Sequence, residues 1–495
     1  MTIGRERLRF ECPAADVSHR VTIEGECALA GSMRDAVTVL SVQAQATLSG
    51  VQPLSDRIAV RGRVCFQVLY TQGDLTRIRS IETTCDFTHD LPAPGAAAGM
   101  RVDAHASVLD TNGRAGSGRM ALEAELSISA QAYECREMEA AAQIDGVMGL
   151  CVRRQQISTC VTQVLGEETS LVREEFDLPA RLQVDHVLTA TGNAVVTDIT
   201  GGSVRVGVSG TVEVRVLHQA EKAGEPLVET THEMPFQVTL GAQCAADGTL
   251  SAAAEVTDVV ADSVLADKQR TMRVEAEIRV RLIEQRGAKA DVLEDLYSTQ
   301  GPAIVPQTET VRICACPQEA QARESVRIQV ALPENAPPME TVLAAFAQPV
   351  LSSAGSSGRR LSAEGVMGVT LVYLPVDSDI PYAVRTREPF SMTFPLEAGE
   401  NVRARLQAVE CSVGPATSDR AELRCVLQMH ARQQEAQRVR LVTDVQESPE
   451  EMHERGFVQV WPAPGESRWD TARRLRVPQE SLKPAGKNAL MAFRR

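Results

Sequence analysis

IAVRGRVCFQVLY, residues 58–70, decides the fold of this chain, because related stretches occur as VRVGVSGTVEVRVLH at 204–218 and LSAEGVMGVTLVYL at 361–374. Within the second stretch, Val212, Val214 and Val216 alternate with residues that include Glu213 and Arg215. A period of two places the valines on one face, as in a β-strand with one buried side. The alternation therefore predicts strands in three separate parts of the chain.

The three stretches belong to longer repeats whose landmarks keep their order and nearly constant spacing. The landmarks are a Val-Leu pair (Val39-Leu40, Val187-Leu188, Val342-Leu343), a glycine (Gly62, Gly210, Gly365), a ring (Tyr70, His218, Tyr373) and a phenylalanine (Phe87, Phe236, Phe390). Because self-similarity at a fixed period indicates a repeat architecture, we predict three copies of a unit of roughly 150 residues. Each aligned glycine indicates a β-bulge or close strand approach, or alternatively a backbone that contacts a ligand.

The domain organisation follows from these repeats. A chain of 495 residues with 43% apolar residues is too long for a single core. Turn signals such as TNGRAGSGR separate the strand patterns, as in antiparallel hairpins. The predicted fold class is mainly β, with three tandem antiparallel β-sandwich-like repeats and a small C-terminal α+β domain. The predicted limits are 1–148, 149–302 and 303–445 for the β repeats, 446–455 for an acidic linker and 456–495 for the last domain.

Composition and motifs exclude several classes of protein. The sequence has no apolar run of eighteen residues and no apolar stretch after its first charges, so we expect neither a membrane span nor a signal peptide. The protein is therefore expected in the cytosol, where its 12 cysteines stay reduced.

Catalytic and cofactor motifs are not found in the sequence. No glycine-rich nucleotide loop occurs, and Cys314 and Cys316 are expected on one buried strand face instead of at a metal. The histidines, among them His89, His105 and His430, show no ligand spacing. We therefore expect no enzyme, no cofactor and no metal.

The stretch PAPGESRWDTARRLRVPQESL, residues 462–482, differs in character from the rest. Ser467 is a suitable N-cap, and Trp469, Ala472 and Leu475 form the apolar stripe of a short helix that ends at Val477-Pro478. Proline favours the start of a second short helix, from which Leu482 would turn inward. With strands FVQVW before and NALMAF after, the pattern predicts a β-α-α-β unit of about forty residues.

This unit resembles a LysM domain. The places of its pattern Gly-Asp-Thr-Leu-Trp-x-Ile-Ala are occupied here by Gly465, Glu466, Ser467, Arg468, Trp469, Asp470, Thr471 and Ala472, with Glu466 and Ser467 as mild replacements. Arg468 and Thr471 depart from the family's leucine and isoleucine, and the asparagine expected after the second helix is absent beyond Leu482. The binding residues that the resemblance and the local charge imply are Gly465, Glu466, Ser467, Arg468, Trp469, Arg473, Arg474 and Leu482.

The whole chain resembles a family of clostridial spore-coat assembly proteins, which carry repeated copies of a domain first catalogued as one of unknown function, followed by LysM. The resemblance implies a non-enzymatic scaffold made in the mother-cell cytoplasm and recruited to the forespore surface. It also implies docking onto the coat morphogenetic ATPase or a similar acidic protein. The alternative is a protein that binds peptidoglycan or chitin-type glycans through LysM.

Charge favours a protein partner independently of the resemblance. The net charge of the whole chain is −14. Residues 456–495 carry a net charge of +5, so residues 1–455 carry a net charge of −19. The arginines either form a solvated helix face or steer the basic segment onto an acidic surface, of a partner or of the chain's own repeats. The acidic bulk of the chain disfavours nucleic acid.

Overall fold

The computed structural model is almost entirely β. It describes residues 1–29, 37–116, 118–179, 182, 184–202, 204–222, 224–266, 269–357, 360–395, 402–448, 456–485 and 489–494. Most of the predicted linker 446–455 lies outside these residues, as do Lys487 and Arg495.

The strands form three units of similar organisation. The first unit contains β1(Thr2–Ala28), β2(Val37–Leu54), β3(Arg57–Gln72), β4(Asp74–Pro92), β5(Arg101–Gly116) and β6(Arg119–Asp145). The second contains β7(Leu150–Leu178), β8(Val184–Gly201), β9(Arg205–Ala220), β10(Val228–Gly241), β11(Thr249–Ala266) and β12(Gln269–Ser298). The third contains β13(Ala303–Cys314), β14(Gln318–Ala331), β15(Met339–Ser357), β16(Arg360–Pro375), β17(Tyr382–Phe394), β18(Val402–Ala416), β19(Arg420–Gln433) and β20(Ala436–Ser448).

Each unit has a head of two three-stranded antiparallel sheets and a two-stranded stem. In the first unit the head sheets are β2-β3-β4 and β1-β6-β5, and the stem is the part of the long β1–β6 pair that β5 does not reach. The second unit repeats this arrangement with β8-β9-β10 and β11-β12-β7. In the third unit the long strands are interrupted, so that β13 and β20 form the stem separately. The three sequence repeats therefore have the same strand topology.

The aligned glycines lie where a phenylalanine ring covers the backbone. Gly62, Gly210 and Gly365 are the cross-strand partners of Phe87, Phe236 and Phe390. A Cβ atom on these glycines would lie 2.6, 2.5 and 2.9 Å from the Cζ atom of the facing ring. The strand on the other side of each glycine carries an extra residue, for example between Leu48 and Gly50. Close approach and a β-bulge together explain why glycine recurs there.

The stems share one apolar core. Its fully or nearly fully buried members are Leu8, Phe10 and Ala140 from the first unit, Ile157, Ala290 and Val292 from the second, and Val311, Ile313 and Leu441 from the third. A two-stranded ribbon has no interior of its own and is at most marginally stable in water. Each stem is therefore held by the other two.

The heads meet at a second apolar junction. The leucines of the three Val-Leu landmarks, Leu40, Leu188 and Leu343, belong to one cluster. Equivalent residues of three repeats can converge on one place only if the repeats are arranged around a common axis. The units accordingly form a closed ring, and a hydrogen bond or ion pair crosses each of its three interfaces: Gln67 to Ala190 at 2.7 Å, Glu213 to Arg323 at 3.3 Å and Asp110 to Arg387 at 2.8 Å.

The predicted fold class is wrong in two respects. The β repeats are not simple tandem sandwiches: each head has its own apolar core between two three-stranded sheets, but the stems of all three units share one core and the heads meet at a further apolar junction. The predicted C-terminal α+β (βααβ) LysM-like domain is also not present. The segment has β21(Gly456–Val460), one α-helix, α1(Arg468–Leu475), a 3-10 turn Gln479–Ser481, and β22(Lys483–Pro484) and β23(Leu490–Arg494) in the sheet order β21-β23-β22.

A proline explains why the second helix is missing. Pro484 disfavours helical backbone at Lys483, so only one turn fits after Pro478. The predicted domain limits, 1–148, 149–302 and 303–445, remain a prediction: they state which segments of the chain should fold as separate domains.

The first testable consequence concerns the glycine–phenylalanine pairs. Gly365→Ala should lower the free energy of unfolding by about 1–3 kcal/mol, because the added methyl group must displace Phe390 or the facing strand. Gly355→Ala is the matched control, since it lies in β15 of the same unit and a Cβ there meets nothing within 4 Å. Urea unfolding measures both variants, and equal midpoints for the two would contradict the close-approach explanation.

The second testable consequence concerns how the stability of the protein depends on pH. His218 is fully buried, its Nε2 lies 2.9 Å from Thr230 Oγ1, and burial lowers the pKa of the imidazole to about 4. The unfolded chain binds this proton near pH 6.5, so stability should fall as pH decreases from about 6.5 to 4, by at most about 1.4 kcal/mol per pH unit. His218→Tyr copies the residue found at Tyr70 and Tyr373. Unfolding midpoints measured across this range should depend less on pH in the variant, and an unchanged slope would contradict the assignment.

Candidate interaction site at the C-terminal segment

Local chemistry starts and ends α1. Ser467 Oγ accepts a hydrogen bond from the Asp470 backbone N–H at 3.1 Å, and Asp470 Oδ2 accepts from the Ser467 N–H at 3.3 Å, which completes a capping box. Gly465 enters the turn before the helix with φ of 83°, and Arg476 ends it in the left-handed region. An eight-residue helix is not stable alone in water, so its packing must hold it.

The helix packs onto the second unit. Its buried side chains Trp469, Ala472 and Leu475 share a cluster with Tyr297, a residue of β12. The Tyr297 and Trp469 rings meet edge to face with centroids 5.0 Å apart, and the Tyr297 hydroxyl donates to the Val477 carbonyl at 2.9 Å. The apolar core of the segment is therefore completed by a residue about 170 positions earlier in the chain.

A buried carboxylate fixes this contact. Asp295 is fully buried in β12, and its carboxylate accepts hydrogen bonds from Trp469 Nε1 at 2.8 Å and from Arg473 Nη1 at 2.9 Å. Its own strand adds the Leu296 N–H at 2.9 Å. A buried charge is costly unless it is paired and hydrogen-bonded, and Asp295 satisfies both conditions only when the segment is in place.

Arg476 adds a second connection to the same unit. Its guanidinium donates to the Ser298 carbonyl at 3.1 Å and to the Gly301 carbonyl at 2.8 Å. Of the two acidic surfaces considered for the basic segment, a partner or the chain's own repeats, the structure places Arg473 on the chain's own Asp295.

The remaining predicted site residues have contacts within the segment. Arg474 pairs with Glu466 at 2.9 and 3.1 Å, and this hydrogen bonding lowers the pKa of the Glu466 carboxyl. Arg468 is exposed and donates to the carbonyl of Leu482, whose side chain is buried. The structure therefore brings Trp469, Arg473 and Leu482 to the inner side of the segment and leaves Arg468 and Arg474 at its surface.

The opposite face of the segment, which the sequence analysis missed, is apolar and open to solvent. Phe457 is 82% exposed, Trp461 64%, Phe493 48% and Met491 40%. Phe457 and Phe493 are direct partners across β21 and β23, with ring centroids 4.9 Å apart. Elsewhere in the described chain, Tyr382 is the one aromatic residue among the exposed large apolar side chains.

The strand register places a cation on this face. Met491 pairs with Gln459 in β21 and with Lys483 in β22, and directly opposite residues project to the same side of a sheet. We define the outer face as Phe457, Gln459, Lys483, Met491 and Phe493. No carboxylate stands among these residues, so the face combines aromatic surface with positive charge.

A period-two signal for the outer face was present in the sequence. In FVQVW the inward positions are Val458 and Val460, yet the outward positions 457 and 461 are also apolar and aromatic. A strand with apolar residues on both faces has to bury both or expose one. The apolar stripe of the helix predicts only the inner face of the segment.

Comparison with known proteins matches part of the first unit to a family model. The family model described as SipL, SPOCS domain, matches residues 35–114. These residues include β2, β3, β4 and all but the last two residues of β5, and the second and third units contain the same arrangement as β8–β11 and β15–β18. SipL is a sporulation-related family, so sporulation is the process that the comparison supports for this chain.

No curated protein and no solved structure matches the chain. The comparisons do not show the LysM domain or the repeated domain of unknown function. Within the described residues, no helix is long and apolar enough to cross a membrane.

The buried carboxylate leads to a prediction. Asp295→Ala should destabilise the attachment of the segment by about 3–5 kcal/mol, because it leaves Arg473 and the Trp469 indole N–H without their buried acceptor. Tryptophan fluorescence of the full chain, in a Trp461→Phe background that leaves Trp469 as the remaining tryptophan, measures this change through urea unfolding. Asp291→Ala, four residues earlier in β12, is the control. If Asp295→Ala unfolds at the urea concentration of the wild type, the carboxylate does not hold the segment.

Proposed function

We propose that this chain is a non-enzymatic interaction scaffold in spore envelope or coat assembly. In this proposal the ring of three β units is a rigid platform, and the outer face of the C-terminal segment docks onto a coat morphogenetic protein. The partner is the coat-assembly ATPase or a similar acidic protein. The protein acts from the mother-cell cytoplasm and is recruited to the forespore surface.

The exposure of the outer face carries the proposal. Two phenylalanines and a methionine side by side on a three-stranded sheet are costly to leave in water, and Trp461 adds a further exposed ring. Aromatic residues and methionine are enriched at the centres of protein interfaces. The ion pair of Asp295 and Arg473 fixes the inner side of the segment to the second unit. The outer face therefore lies on a rigid support.

Charge favours an acidic partner over a second copy of the chain. The segment carries a net charge of +5, and Lys483 stands on the outer face itself. A symmetric contact between two outer faces would bring these like charges together, whereas an acidic surface with apolar side chains would complement both the charge and the rings.

Binding of peptidoglycan or chitin-type glycans is the second candidate. Exposed rings such as those of Phe457 and Trp461 also offer flat apolar surfaces to sugars. Lys483 on the outer face favours an acidic protein over chitin-type glycans, because neutral chitin oligomers have no charge to complement it.

The test measures binding of the full chain to the purified ATPase partner. Phe457→Ser and Phe493→Ser should each weaken binding by about thirtyfold, the effect of losing roughly 2 kcal/mol at an interface centre. Lys483→Glu should weaken binding most at low salt, since exposed charges are screened as ionic strength rises.

Tyr382→Ser is the matched control, because Tyr382 is an exposed aromatic residue in the third unit, 40% exposed. It should bind like the wild type. Unchanged affinity in both phenylalanine variants would remove the outer face from the proposal, and micromolar binding of the wild type to chitin oligomers or peptidoglycan, lost in these variants, would establish the glycan candidate instead.

A further inference from the structure

The third unit contains two thiols in direct contact. Cys411 lies in β18 and Cys425 in β19, and the two residues are direct partners in the antiparallel register. Their Sγ atoms are 3.4 Å apart. All 12 cysteines of the chain are present as free thiols in the structure.

The backbone around this pair is compatible with a disulfide. Directly opposite residues of antiparallel strands have Cα atoms about 4.5–5.5 Å apart and project to the same face. Disulfides span Cα separations of about 4.4–6.8 Å, so the strands do not have to separate or rotate to allow the bond. A register shift between Ala408 and Glu410 lies close by in β18, and a bulge of this kind bends the strand locally.

The pair is specific to the third unit. The equivalent cross-strand pairs are Thr111 with Ala124 in the first unit and Val259 with Ala276 in the second. These residues show that the fold needs no sulfur at either position. They also supply matched replacements for a test, since Val is accepted on the β18 side and Ala on the β19 side.

We propose that Cys411 and Cys425 form an oxidative modification site, at which a small-molecule disulfide converts the two thiols into an intramolecular disulfide. Cys411 is partly exposed and Cys425 is fully buried, so the oxidant reaches Cys411 first. The hydrogen bond with Cys425 and burial raise the pKa of the Cys411 thiol, so this first attack is slow at neutral pH and faster at higher pH. The Cys411 thiolate attacks one sulfur of the oxidant, which forms a mixed disulfide and releases the first small thiolate. Cys425 then loses its proton and attacks the Cys411 sulfur, which releases the second small thiolate.

The reaction is balanced by the oxidant alone. Two protein thiols become one disulfide, and one small-molecule disulfide becomes two thiols. The bond closes the hairpin of β18 and β19 and holds it together in the unfolded chain, so the oxidised protein should be harder to unfold than the reduced protein. The protein would stay reduced in a cytosol and become oxidised when exposed to a more oxidising environment.

The test uses the folded, fully reduced full chain. The protein is treated with oxidised glutathione, residual thiols are alkylated, and the products are digested with trypsin. Cleavage at the arginines isolates Cys411 in the peptide 406–420 and Cys425 in the peptide 425–432. We expect these peptides joined by a disulfide in most of the oxidised molecules, with a raised urea midpoint that reduction reverses.

Cys411→Val and Cys425→Ala are the matched variants. Each variant should fold, with a urea unfolding midpoint close to that of the reduced wild type. After oxidation, neither variant should show the linked peptides or a raised urea midpoint. Cys160 provides an internal comparison, because its cross-strand partner Gly287 lies against the Cys316 sulfur. Linkage of peptides 155–173 and 313–323 without linkage of 406–420 to 425–432 would overturn the proposal, as would glutathione retained on Cys411 as a mixed disulfide.

Discussion

The three stems bury their apolar residues against one another in one shared core. A stem is a two-stranded ribbon, and its apolar residues, such as Phe10, Val292 and Leu441, have no second sheet of their own unit to cover them. Apolar side chains of this size each contribute about 1.5–3 kcal/mol when fully buried, so the shared core determines that three units close around one axis. The ring and the junction at Leu40, Leu188 and Leu343 follow from that closure.

The C-terminal segment depends on the second unit in a similar way. Its helix is too short to be stable alone, and its core includes Tyr297 from the second unit. Asp295 adds specificity, because a buried carboxylate tolerates only a partner that supplies hydrogen bonds and positive charge in the right geometry. Trp469 and Arg473 supply both, so the position of the segment on the second unit is well determined.

This attachment changes how the basic residues contribute to function. Arg473 and Arg476 are occupied by the chain's own residues, and Arg474 is paired with Glu466. The surface proposed for a partner is the outer face, where aromatic rings and Lys483 are exposed, and Arg468 also stays exposed on the segment. The proposed docking activity therefore uses the side of the sheet opposite the helix that the resemblance to LysM had indicated.

The sequence by itself determined the repeat and its strands. The alternation in Val212, Val214 and Val216, the aligned Gly365 and Phe390, and the N-cap Ser467 are local or regularly spaced signals with a direct physical cause. Only the tertiary structure decided that the stems share one core, that Asp295 accepts a hydrogen bond from Trp469, and that Phe457 remains exposed. These features depend on which distant surfaces meet, and strand and helix periodicities report only which side of an element is apolar. The second predicted helix failed for a related reason, because the effect of Pro484 on the preceding residue outweighed the favourable start at Pro478.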